Sequence, residues 1–164
     1  MEEQTKSPVD EGAAEGARLD ASSRTPDDYP VHTEIPLRWS DQDIYGHVNN
    51  VIHYAMADTA VNGWLIDASG VDIRRLPAVG VVVETGCTYV AELHFPQTLT
   101  LGIRLTRRGR TSVVYEIGIF TSDQALAAVV RFVHVYVDQV SRRPAAIPPE
   151  IETALAQLSE PDTA

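Results

Sequence analysis

The stretch from Asn50 to Ala68 contains no proline and one glycine, and it places apolar groups around most of a helical cylinder. Val51, Ala55, Trp64, Leu65 and Ala68 recur at helical spacing, and Tyr54, Met56, Ala57, Ala60 and Val61 widen that surface. A helix that is apolar on most sides needs a cover, so the segments that follow must supply one. Gly70 gives the stop signal and Pro77 keeps the helix from continuing. The pattern then changes to strands: Val79 to Glu92, Thr98 to Arg107, Thr111 to Thr121 and Ala125 to Asp138. Leu99, Leu101, Ile103 and Leu105 alternate with polar or small residues, which predicts a strand with one buried face. Arg108-Gly109-Arg110 reads as a tight hairpin with Gly109 at positive φ, and the last strand, apolar on both faces, reads as central. The expected order is one short strand at Ile35 to Leu37, one long helix, then four antiparallel strands curling around it.

At 164 residues the chain suits one domain. Its formal charge of −10 sits mostly at the ends: residues 1–28 hold 8 acids and 3 bases, and residues 150–164 hold 4 acids and no base. The stretch between them is nearly neutral, and its bases are all arginines, without the basic face and interleaved aromatics of a nucleic-acid binder. Cys87 is the single cysteine, which excludes an internal disulfide and suits a reducing compartment. No apolar run approaches the ~20 residues that span a bilayer, and no signal-peptide pattern opens the chain, so a cytoplasmic protein without a membrane partner is expected. Residues 1–28 read as a disordered acidic tail, 29–145 as the folded domain, and 146–164 as a short helix, Pro149 to Leu158, with a frayed end.

Chemistry concentrates between the first strand and the helix, in RWSDQDIYGHVNN, Arg38 to Asn50. A loop from Asp41 to His47 presents Asp43 to the helix's first turn, where unpaired N–H groups and the positive dipole end gather. Asp41, Asp43 and Asn49 are also residue types that shape turns and cap helices. His47, His53 and Asp43 do not make a metal site on this reading, because a spacing of six does not put two histidines on one helical face. Arg104, Arg107, Arg108 and Arg110 gather around the expected hairpin and suit a phosphorylated ligand.

The ordered pattern D-x-D-x-x-G-H-V-N-N, with the RGRTS run from Arg108 to Ser112, resembles the hotdog-fold acyl-CoA thioesterases of the 4-hydroxybenzoyl-CoA thioesterase type over roughly Val31 to Val140. The resemblance implies an α+β hotdog fold, a five-stranded antiparallel sheet wrapped around one long central helix. It implies that Asp43 acts as general base or nucleophile on a thioester, that the Asn50 backbone N–H faces the thioester oxygen, and that Asp41 is structural. Asp58, at the place where a second subgroup carries its carboxylate, is the competing catalyst. His47 would hold the loop at the substrate, Tyr54 and Trp64 would line an acyl groove, and Arg108 and Arg110 would meet the phosphates of coenzyme A. Coenzyme A enters as part of the substrate, with no separate cofactor or metal. A homodimer or homotetramer is implied, with sites at the subunit interface. Trp39 and Asn50 depart from the tyrosine and the histidine or aromatic residue usual in relatives. The alternative is a non-catalytic acyl or acyl-CoA binding module of the same fold.

Overall fold

The computed structural model describes residues 23–158. Its elements are β1 (Val31–Pro36), α1 (Asn50–Ser69), β2 (Ala78–Tyr89), β3 (Thr98–Arg108), β4 (Ser112–Phe120), β5 (Leu126–Asp138) and α2 (Pro149–Leu155). The strands form one antiparallel sheet in the order β1-β3-β4-β5-β2, with α1 packed on one face. This is the hotdog arrangement expected. β1 and β2 are the edges, and β5 lies inside the sheet, as its two apolar faces imply.

Each end of α1 is closed by the residue its sequence suggests. Asn49 caps the start, its side chain accepting the Val51 N–H at 3.2 Å, and Gly70 ends the helix at φ 68° while donating its N–H to the Ile66 carbonyl. The helix buries His53, Met56, Ala57, Ala60, Val61 and Leu65 against the sheet. It is not covered on all sides: Val51, Ala55, Asp58, Thr59 and Ile66 are exposed. A single sheet can cover one face of a cylinder, so Val51, Ala55 and Ile66 face outward, while Ile52, Tyr54 and Trp64 are partly buried at the edges of the covered face. Gly109 also differs from expectation, since among the described glycines Gly46 and Gly70 take positive φ and it does not. Its missing Cβ instead leaves room for the Ser112 hydroxyl, which would lie 3.0 Å from one.

On the other face of the sheet, Tyr29 is buried over Gly102 and Gly118, a register pair of β3 and β4. Its ring meets Phe120 edge to face, its hydroxyl donates to Glu116 at 3.0 Å, and Glu116 also accepts from Arg24 and Arg104. The described residues before Tyr29 thus belong to the fold. Pro26–Asp28 form a 3-10 turn opened by Pro26 and closed by the Asp28 carboxylate, which accepts the Thr25 N–H at 2.7 Å and its hydroxyl at 3.2 Å, and Arg24 just before it is anchored on Glu116. The rest of the expected tail, residues 1–22, and the frayed end, 159–164, lie outside the described residues. The C-terminal helix α2 adds Ile151, Leu155 and, just beyond it, Leu158 to the core.

Candidate active site

The segment between β1 and α1 is built on Asp41. Its buried carboxylate accepts the Arg38 backbone N–H at 2.7 Å and the Arg38 guanidinium at 3.0 and 2.7 Å, and its carbonyl accepts the Asn49 N–H at 2.9 Å. The guanidinium holds the Asp41 carboxyl below the usual carboxylate range. Asp41 thus folds the segment back on Arg38 through its carboxylate and ties it to the helix start through its carbonyl.

Asp43 heads the next turn. Its Oδ1 accepts the N–H groups of Tyr45 at 2.8 Å and His47 at 3.2 Å, while its own N–H donates to the His47 carbonyl at 2.8 Å. Gly46 closes this turn at φ 81°, a region that favours glycine. These bonds to the carboxylate use Oδ1, and Asp43 lines a cleft of about 380 Å3 together with His47, Asn50, His53, Tyr89 and Glu92. Asn50 opens α1, and the amides of a first helical turn have no carbonyl four residues earlier within the helix. A carboxylate and a helix N-terminus thus meet in one cleft, which is the pair that hydrolysis of an activated acyl group requires.

The cleft also gathers His53, Tyr89 and Glu92, which the sequence alone does not assign to it. His53 is buried one turn into α1, and its Nδ1 lies 3.3 Å from the Asn49 carbonyl. Burial lowers its pKa, so it is neutral at pH 7, and donation from Nδ1 to that carbonyl leaves Nε2 as an acceptor. Tyr89 stacks edge to face on His53 at 5.0 Å and donates its hydroxyl to the Asn50 carbonyl at 3.4 Å, tying the end of β2 to the start of α1. Burial, with Cys87 and Tyr54 alongside, pushes the Tyr89 hydroxyl well above its ordinary pKa. Burial likewise pushes the Cys87 thiol up to about 11, so it is protonated and unreactive at neutral pH. The spacing of His53 from Asn49, one helical turn, is a signal in the sequence; Tyr89 arrives from the end of β2 and Glu92 from the segment after it, and they leave none.

Other expected site residues lie elsewhere. Tyr54 is half-buried and packs against the core rather than lining the cleft. Asp58 is exposed on α1, about 12 Å along the axis from Asn50, and accepts a hydrogen bond from the Asn62 amide at 2.9 Å. Arg108 and Arg110 are not brought to the cleft of their own chain. They stand at the β3–β4 hairpin, the length of the 11-residue β3, roughly 35 Å, from the end where β1 leads into the Asp43 loop. There Arg108 pairs with Glu152 of α2 at 2.8 Å.

A second cavity, of about 160 Å3, lies under the later half of α1 and includes Asn62, Gly80, His134 and Tyr136. His134 is 2 % exposed, and neither ring nitrogen has a hydrogen-bond partner. Among the described residues, the set whose donor atoms could share one metal ion is His47, Glu92 and His94, in place of the His47–His53–Asp43 set weighed from sequence.

Comparison with known proteins agrees with this architecture. The PA5185 protein from Pseudomonas aeruginosa PAO1 is 47% identical, with 82% of this chain and 94% of that chain aligned and a TM-score of 0.78. The 1,4-dihydroxy-2-naphthoyl-CoA thioesterase Slr0204 from Synechocystis is similar in fold at 19% identity, covering 79% of this chain and 98% of its own, with a TM-score of 0.72. SAV2348 from Staphylococcus aureus, solved in complex with CoA, aligns over 80% of this chain and 89% of its own at 16% identity and a TM-score of 0.71. No functionally curated protein matches the sequence. The family model of the thioesterase-like superfamily matches residues 37–155, most of the described chain, and the protein belongs to that superfamily.

Proposed function

We propose that the protein hydrolyses acyl-CoA thioesters to the free acid and coenzyme A, as an enzyme of the 4-hydroxybenzoyl-CoA thioesterase type. The observation that carries this reading is the cleft in which the Asp43 carboxylate and the N-terminus of α1 converge. In the mechanism, Asp43 activates water or attacks the thioester carbon, and the negative charge that develops on the carbonyl oxygen is met by the Asn50 N–H. Asp41 acts as the positioning residue through Arg38 and Asn49. A preorganised donor of this kind contributes about 3 kcal/mol to lowering the barrier. Thioesterase relatives and a CoA-bound structural neighbour support the class of reaction.

The working unit on this reading is a homodimer or a larger homo-oligomer. The 12-residue edge strand β2 carries exposed Val82 and Val83, and the adjoining face of α1 carries exposed Val51 and Ile66. An unpaired edge beside an apolar helix face invites a second copy. The test of the function is release of free thiol from a panel of short, long and aromatic acyl-CoAs by the purified protein. Turnover on at least one class is expected. Binding of every acyl-CoA without thiol release would replace the enzyme with an acyl-CoA binding module.

A further inference from the structure

His94 lies in the segment after β2, and its Nδ1 is 3.0 Å from the carbonyl of Gly46, the residue that closes the Asp43 turn. A ring that donates from Nδ1 to a backbone carbonyl presents its lone pair at Nε2. That Nε2 lies 3.8 Å from Glu92 Oε2, and on the other side of the same oxygen lies His47 Nε2 at 3.3 Å. One donor atom from each of the three residues falls within 4.8 Å of the others, and the two imidazole rings stand edge to face at 5.2 Å. Bonds at 2.0–2.1 Å from a tetrahedral ion to two nitrogens and an oxygen put such donors roughly 3.3 Å apart, so small side-chain adjustments close the set.

The two segments that carry these residues are already tied together. The Val48 N–H donates to the Leu93 carbonyl at 2.8 Å, and the His47 backbone is held by Asp43 through both its N–H and its carbonyl. The donors therefore converge on a fixed frame, not on two independent loops. Two imidazoles and one carboxylate favour a zinc-class divalent ion over magnesium or calcium, which select oxygen donors. A set of three protein ligands leaves a fourth position for water.

We propose that His47, Glu92 and His94 bind one zinc-class divalent ion on the wall of the Asp43 cleft. The ion ties the turn that carries Asp43 to the segment following β2, and so fixes the cleft's shape. The test uses untagged, full-length protein stripped with a chelator, titrated with Zn2+ by calorimetry and with Co2+ by visible absorption. One saturable equivalent and Co2+ bands of an imidazole-containing site are expected. His94→Ala and Glu92→Gln should each weaken uptake at least ~10-fold with the circular dichroism spectrum unchanged. An ordinary solvent-exposed His–Glu–His ion pair would give no saturable uptake. That result, or uptake that His94→Ala leaves unchanged, overturns the proposal whether or not the protein hydrolyses thioesters.

Discussion

Lowering the pH from 7.5 to 4.5 is expected to cost this fold a defined increment of stability through one residue, His134. Its ring is 2 % exposed, packed between Tyr115 and Phe132, with neither nitrogen hydrogen-bonded. Burial lowers its pKa from 6.5 to about 4, and the Asp58 charge on the facing helix offsets a part of that fall. A base whose folded pKa is depressed adds its full stability above the unfolded pKa and loses it as the pH falls from 6.5 towards 4. At 1.36 kcal/mol per pH unit the full loss is about 3 kcal/mol, of which about 2.5 kcal/mol has gone by pH 4.5. His134→Leu removes the titration, and because it also removes two unpaired buried nitrogens it should match or exceed the parent's stability at pH 7.5. Urea unfolding of parent and variant at both pH values isolates the residue, since every other titrating group is common to both. Equal losses in the two proteins, within about 0.5 kcal/mol, or an imidazole of His134 that titrates by NMR near 6.5, would refute the reasoning.

Gly118→Ala should lower stability by about 1–3 kcal/mol, measured by thermal unfolding, because a Cβ there would stand 2.7 Å from the buried Tyr29 ring and hydroxyl and from the Phe120 ring. Asp41→Asn is expected to lower both stability and turnover, since Arg38 loses its partner and the loop bearing Asp43 loses its anchor; a thermal midpoint and kcat equal to the parent's would contradict that positioning role. Arg108→Ala should change stability by under about 1 kcal/mol, as expected for an exposed ion pair with Glu152. Arg110→Ala should leave KM for an acyl-CoA unchanged, since the hairpin that carries it stands far from the cleft of its own chain; a several-fold rise would show that a partner subunit's hairpin reaches the cleft.

The elements were legible because their periods are strong: the alternation of Leu99 to Leu105 gave β3, and the proline-free run with Asn49 before it and Gly70 after it gave α1. Local sequence could also mark the Asp43 turn, since Asp, Gly and Asn at those positions carry their own backbone preferences. The extent of burial was not legible in α1. Alanine and valine at helical spacing show that a face is apolar, but not whether its own sheet or another surface covers it, and Val51 and Ile66 are exposed here. Nor could sequence place Tyr89, Glu92 and His94 beside Asp43 and His47, because strand pairing and loop contacts some forty residues apart bring them there. The same limit explains Arg108: its charge suggested a phosphate, while the sheet carries it to the far end, against Glu152.

The central claim, that Asp43 is the carboxylate that acts on the thioester, is tested most directly by comparing thiol release by Asp43→Asn and Asp58→Asn under single-turnover conditions with one acyl-CoA. The account predicts loss of roughly a hundredfold or more for Asp43→Asn, with acyl-CoA still bound and the fold intact, and a rate within a few-fold of the parent for Asp58→Asn. The reverse pattern, with Asp43→Asn near the parent rate and Asp58→Asn inactive, would move the chemistry to the outward face of α1 and contradict the account.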